Sequence, residues 1–200
     1  MRDDIYTIVD VETTGGSPFL NRIIEVGLVR VEHGEVVNRF STLVNPGVPI
    51  PEFITKLTGI ESKDVLAAPT FEEIKDELSG YFEGSVFVAH NAVFDYAFLQ
   101  KEFGRLGYGF TLDTLCTVKL SRAFYPEEKH HNLSAIIERF SFVCERRHRA
   151  LDDALVLWDF MQLLQARFPA PEVTSVMERL IGSRRKLPLK STDFEYVIEE

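Results

Sequence analysis

Asp10 and Glu12 stand two residues apart at the end of an apolar, β-branched run, Ile5 to Val11. In a strand that spacing turns both side chains to one face of the sheet. Two buried like charges cost several kcal/mol, on the order of what a divalent cation would offset. A strand end fraying into solvent explains the pair equally well when it is taken alone. Asp95 follows Ala89-His90-Asn91-Ala92-Val93-Phe94, in the first turn of a helix that begins where a strand stops. Ligands bind α/β sheets at such strand ends, although a carboxylate also suits a helix N-terminus for its own sake. His148 precedes an apolar helix whose first turn carries Asp152 and Asp153. Dipole complementarity accounts for the acids, and histidine is the side chain best suited to take a proton near neutral pH. Together these residues place hard oxygen ligands and a base at four separate element ends. That is the inventory of two-metal phosphoryl transfer with Mg²⁺ or Mn²⁺.

The elements that must position them follow from hydrophobic period and turn chemistry. Ile5 to Val11, Arg22 to Val31 and Glu35 to Val44 read as three successive strands, broken at Thr13-Thr14-Gly15-Gly16 and turned at Glu32-His33-Gly34. They predict an antiparallel meander. A short helix over Glu52 to Ile60 ends at Gly59, and Thr70 with Glu73 forms a capping box for a helix to Phe82. Ser85 to Ala89 is a strand, and Asn91 is the expected cap of a helix with Phe94, Phe98, Leu99 and Phe103 inward. Phe110 to Leu115 is a further strand, followed by a helix to Phe124. After a polar loop, Asn132 caps a helix to Phe140, and the last strong helix runs from Ala150 to Phe168. Strands followed by alternating helices and strands predict an α/β fold, with a mixed central sheet and helices on both faces.

An apolar fraction of 45 % is enough to build a core in 200 residues. No apolar run reaches membrane-span length, and Met1 to Asp4 lead straight into a strand without a signal-peptide pattern. The expected location is therefore cytoplasmic, with no membrane partner. Cys116 and Cys144 make neither a disulfide framework nor a zinc spacing and read as idle thiols. The net charge of −9 argues mildly against nucleic acid. A carboxylate site neutralised by cations softens that objection, as do the local clusters Lys119, Arg122, Lys129 and Arg146, Arg147, Arg149. Pro169 and Pro171 mark a boundary between a domain over 1–168 and a tail over 169–200. The tail carries a short helix, Val173 to Ile181, and a basic stretch, Arg184-Arg185-Lys186.

Asp10-Val11-Glu12-Thr13-Thr14-Gly15, His90-Asn91-Ala92-Val93-Phe94-Asp95, and His148 with Asp153 five positions on resemble the three motifs of the DEDDh-type, DnaQ-like 3′–5′ exonucleases. Order and spacing agree from about Ile5 to Phe168, in the style of the epsilon proofreading subunit of bacterial DNA polymerase III. The resemblance implies an RNase H-like fold and two divalent ions about 4 Å apart. It assigns Asp10, Glu12, Asp95 and Asp153 to those ions and makes His148 the base. The expected product is a nucleoside 5′-monophosphate taken from a single-stranded 3′ end, with DNA favoured over RNA. Thr13, Gly15, Asn91 and Phe94 are expected to face the terminal nucleotide. Leu57, Thr58 and Ile60 match a loop that touches its base, although many members carry His where this chain has Thr58. For Phe94 and Ile60 a core role is an equal expectation, and Asp152 is assigned to the surface. The tail is a place for a polymerase or repair-nuclease partner. Two competing expectations are an RNA exonuclease and a catalytically weak interaction module of a replication or repair assembly.

Overall fold

A computed structural model of the chain describes residues 5–181. Among the described residues the strands are β1 (Ile5–Thr13), β2 (Ile23–Glu32), β3 (Glu35–Leu43), β4 (Val86–Ala89) and β5 (Thr114–Cys116). They form one sheet in the order β3-β2-β1-β4-β5. The first three pair antiparallel, as the meander predicted, and β4 and β5 join parallel on the other side of β1. The helices are α1 (Glu52–Thr58), α2 (Ser62–Val65), α3 (Phe71–Phe82), α4 (Ala92–Arg105), α5 (Thr117–Phe124), α6 (Leu133–Phe140), α7 (Ala150–Arg167) and α8 (Ala170–Ile181).

Strand alternation divides the core between two faces. Ile8 packs with Leu157, Phe160 and Leu164 of α7 on one side. Val9 and Val11 pack with Leu78, Phe98 and Phe103 of α3 and α4 on the other. Asp10 and Glu12 share the parity of Ile8, so the strand's period turns them toward the α7 face.

Local chemistry explains most helix ends. Gly59 closes α1 in the left-handed conformation, the Thr70–Glu73 capping box opens α3, and Asn132 Oδ1 accepts from the Ala135 amide at 2.7 Å to open α6. Three expectations need correction. Asn91 precedes α4, but its own backbone is left-handed (φ 61°), so its side chain caps nothing. The strand predicted from Phe110 is reduced to Thr114–Cys116. Side chains of α4 take up the backbone before it: Tyr96 Oη accepts from the Leu112 amide, and Gln100 Nε2 donates to the Phe110 carbonyl. The short helix expected over Val173 to Ile181 forms, over Ala170–Ile181, but it buries Val173 and Met177 in the α7-side core, past the boundary expected at Pro169. The basic stretch at Arg184 lies outside the described residues. Among the described residues no helix is long and apolar enough to cross a membrane.

Candidate active site

Where β1 and β4 end, a cleft of about 730 Å³ is lined by Asp10, Glu12, Asp95, Asp153 and His148. Four carboxylates from β1, α4 and α7 therefore converge, as their positions at element ends predicted. Each is held by its own element. Glu102 of α4 takes a bidentate pair from Arg22 (2.7 and 3.0 Å), which ties α4 to the start of β2. That fixes Asp95, whose Oδ1 accepts from the Val11 amide at 3.1 Å.

Gly27 sits opposite Asp10 in the β1–β2 ladder. A Cβ there would stand 2.1 Å from the Leu151 amide nitrogen and 2.2 Å from the Ala150 carbonyl carbon, so α7 seats its first turn where a side chain would have been. Glu25, the partner of Glu12 across the same ladder, clamps that turn. It receives Arg149 Nη2 at 2.8 Å and Arg149 Nε at 3.1 Å, and it accepts from the Ala150 amide at 3.1 Å. The clamp sets the flanking His148 and, within α7, Asp153 against β1. Asp153 Oδ2 in turn accepts from the His148 amide at 3.2 Å. Both Asn91 and His148 are non-glycine residues with positive φ (61° and 59°) in the cleft wall. Such strain costs on the order of 1–3 kcal/mol and gathers at functional sites.

The electrostatics are those of an acid cluster. Burial, reinforced by Asp95, Asp153 and Glu12, holds the Asp10 carboxyl well above its ordinary range. Burial first, then Asp153, Glu25 and Asp95, raise Glu12 to about 8. Burial raises Asp95 to about 7, against the hydrogen bonds from its own and the Val11 backbone. Arg147 ion-pairs with Asp153 and pulls Asp10 and Glu12 back toward ionisation. A carboxylate oxygen of Glu12, one of Asp153 and a ring nitrogen of His148 lie within 4.8 Å of one another. Crowded, desolvated oxygen donors of this kind fit a hard divalent cation. His148 is lowered, by burial and then by Arg147, with Asp153 opposing. Its ring is thus neutral and able to accept a proton near neutral pH.

Asn91 and Phe94 also line the cleft, Asn91 exposed and Phe94 packed on Phe98 at 4.9 Å between ring centres. Five expected contact residues do not line it. The Thr13 hydroxyl donates to the Gly15 carbonyl inside its own turn. A Cβ at Gly15 would meet the Asn21 side chain at 2.7 Å, so that glycine is explained by packing, and Gly16 reaches the cleft instead. Thr58 is buried, donating to the Ile54 carbonyl and accepting from the Ile60 amide. Ile60 belongs to a small core with Ile24, Ile50, Ile54 and Val65, while Leu57 is exposed outside the cleft. Asp152, assigned to the surface, pairs with Arg146 at 2.9 Å. Cys144, read as idle, places its thiol 3.6 Å from Asp153 Oδ1.

Sequence reasoning missed Glu25 and Gly27, and it read Arg147 and Arg149 only as members of a basic cluster. Glu25 lies 124 residues from Arg149, and no local pattern marks the pair. His90 is a further cleft residue without an assigned role. Its Nδ1 lies 2.8 Å from Thr117 Oγ1, and burial lowers it to about 4, so it is neutral.

This sheet order is that of an RNase H-like fold. A family model described as Exonuclease matches residues 7–161. The PolC-type DNA polymerase III of Caldanaerobacter subterraneus subsp. tengcongensis is 40 % identical over 190 residues, covering 92 % of this chain and 14 % of that protein. The epsilon subunit of DNA polymerase III from Aquifex aeolicus is 36 % identical over 171 residues, covering 82 % of this chain and 85 % of that one. The solved structure of exonuclease X with 5′ overhanging duplex DNA superposes with a TM-score of 0.64 at 28 % identity, covering 86 % of this chain and 99 % of that chain. The chain belongs to this exonuclease family, among the DnaQ-like 3′–5′ exonucleases. It spans only about one-seventh of the PolC-type relative's length.

Proposed function

We propose that this chain is a metal-dependent exonuclease that removes nucleoside 5′-monophosphates from the 3′ end of single-stranded DNA, in proofreading or repair. The observation that carries the reading is the convergence of Asp10, Glu12, Asp95 and Asp153 beside a neutral His148 in one cleft.

The four carboxylates would hold two Mg²⁺ or Mn²⁺ ions. When bound, such ions supply Lewis-acid stabilisation of the phosphoryl oxygens and acidify a water. His148 accepts the proton of the attacking water, and its lowered pKa keeps it in the accepting form. The Glu25–Arg149 clamp orients it, and Asp153 supports the imidazolium that forms. Asn91, free of any capping bond, presents its amide to the terminal nucleotide. Phe94 offers a ring edge or face to the base, a contact tolerant of sequence.

DNA is favoured because the bound DNA in the exonuclease X structure and the polymerase names of the curated relatives both belong to DNA metabolism. The same names support a polymerase or repair-nuclease partner and a cytoplasmic location. The test compares two single strands, identical except for a 2′-deoxy or a ribo 3′ end, in Mg²⁺, Mn²⁺ or EDTA. Faster mononucleotide release from the deoxy end, absent in EDTA, is expected. Equal rates or a faster ribo end would sink the DNA assignment, and turnover in EDTA would sink the metal.

A further inference from the structure

The wall of the cleft opposite the acid cluster is basic. Lys119 and Arg122 lie one turn apart on the exposed side of α5, and Lys129 projects from the loop over residues 125–132. All three line the cleft. Among the described residues no carboxylate pairs with any of them, although the chain has 31 acidic residues against 22 Lys and Arg. Neighbouring cations are committed elsewhere: Arg139 to Glu128, Arg146 to Asp152, Arg147 to Asp153 and Arg149 to Glu25. The loop that carries Lys129 is fixed in place. His131 Nδ1 lies 2.8 Å from Ser121 Oγ on α5, and Arg139 Nη2 donates to the His130 carbonyl at 2.7 Å. Arg139 also holds Glu128 at 3.1 Å, and no acid of α5 or of this loop lines the cleft. Charge is thus segregated inside one cleft, with acids on β1, α4 and α7 and unpaired cations on α5 and its loop.

We propose that Lys119, Arg122 and Lys129 bind the phosphodiester backbone of the strand on the 5′ side of the terminal nucleotide. The occupant rests on the exonuclease reading, while the charge segregation stands without it. The acid cluster, loaded with cations, takes the one phosphate that reacts. Three further cations suit a chain of phosphates rather than a mononucleotide, and contacts to phosphate carry no sequence information. Lys119, Arg122 and Lys129 are binding residues, distinct from the residues proposed to act on the scissile phosphate.

Each cation that neutralises a phosphate of a single strand steepens log K against log salt by about 0.7, so three contribute about 2. The test is fluorescence anisotropy of a labelled single-stranded DNA oligonucleotide across a salt series in Mg²⁺, in an Asp10→Ala parent that cannot consume it. Adding Lys119→Gln, Arg122→Gln and Lys129→Gln is expected to weaken low-salt binding about tenfold or more and to flatten the slope by about 2. A charge-matched control, Lys63→Gln, Lys75→Gln and Lys101→Gln, lies outside the cleft and should keep the parent slope. An unchanged melting temperature confirms that the cleft variant folds. A slope equal to the parent's, equal flattening in the control, or no binding by the parent would overturn the proposal. Failure of the Asp10-containing protein to cut the strand would count against the exonuclease reading alone, because the slope comparison does not depend on turnover.

Discussion

Asp10, Glu12 and Asp95 are carboxyl groups held where ionisation is costly, and that cost sets a pH dependence. Burial raises all three above their ordinary values, Glu12 to about 8 and Asp95 to about 7. Without metal, the folded state therefore binds more protons than the unfolded state between the ordinary carboxylate range and those raised values. Stability is then greatest at acid pH and falls as pH rises through them. In EDTA the melting temperature is expected to fall from about pH 5 to about pH 8. Saturating Mg²⁺ or Mn²⁺ should flatten the slope, because a bound cation favours the ionised acids. Asp10→Asn removes one of the repelling charges. It should raise the metal-free melting temperature at the alkaline end and shrink the metal-induced shift. A metal-free melting temperature that rises with pH would contradict this picture of the cluster. At this scale the convergence of Asp10, Glu12, Asp95, Asp153, His148, Asn91 and Phe94 on one cleft was legible, because their types and spacings are local. Thr13, Thr58 and Ile60 lie outside the cleft, and Ile60 takes the core role that was its equal expectation, because a hydroxyl or methyl that satisfies its own loop looks, in sequence, like one that faces a ligand.

The junction of β2 with α7 is where an element, rather than a residue, decides the chemistry. Gly27 gives up its side chain so that the first turn of α7 lies on the strand, and Glu25 fastens that turn through Arg149 and the Ala150 amide. Gly27→Ala must push α7 away. The expected cost is about 1–3 kcal/mol of stability, since overpacking strains the backbone it meets. A displacement of about 1 Å of His148 and Asp153 is expected to lower the rate about 10²-fold. Thermal melts and turnover in Mg²⁺ check both, and a Gly27→Ala protein with the parent's stability and rate would refute the account of the junction. Helix boundaries set by neighbouring residues, such as Thr70 with Glu73, Asn132 and Gly59, could be read directly. The short α2 was not, because its capping pair, Glu61 and Asp64, uses an acid in place of the usual small polar cap. The early part of the predicted fifth strand failed because Tyr96 and Gln100, on the helix just before it, take up its backbone hydrogen bonds.

For the molecule as a whole, the mixed sheet and its two helical faces followed from the order of strands and helices, whereas the extent of the folded unit did not. Two prolines near residue 170 look like a boundary, yet Pro171 lies in the first turn of α8, where a missing amide costs nothing. Met177 and Val173 then complete the core beside α7. We propose that the folded unit extends at least to Ile181. Met177→Ala should cost about 2–4 kcal/mol in chemical denaturation. A cost below about 0.5 kcal/mol, as at an exposed site, would return α8 to the status of a tail. If the acid cluster cuts nucleic acid from the 3′ end, the reaction must depend on Asp10. The direct measurement is a time course of a 5′-labelled single-stranded DNA oligonucleotide in Mg²⁺ with the native protein and Asp10→Ala side by side. The expected result is a ladder shortening from the 3′ end with release of 5′-mononucleotides, present with the native protein and absent with the variant. No cleavage by the native protein, or cleavage that survives Asp10→Ala, would contradict it.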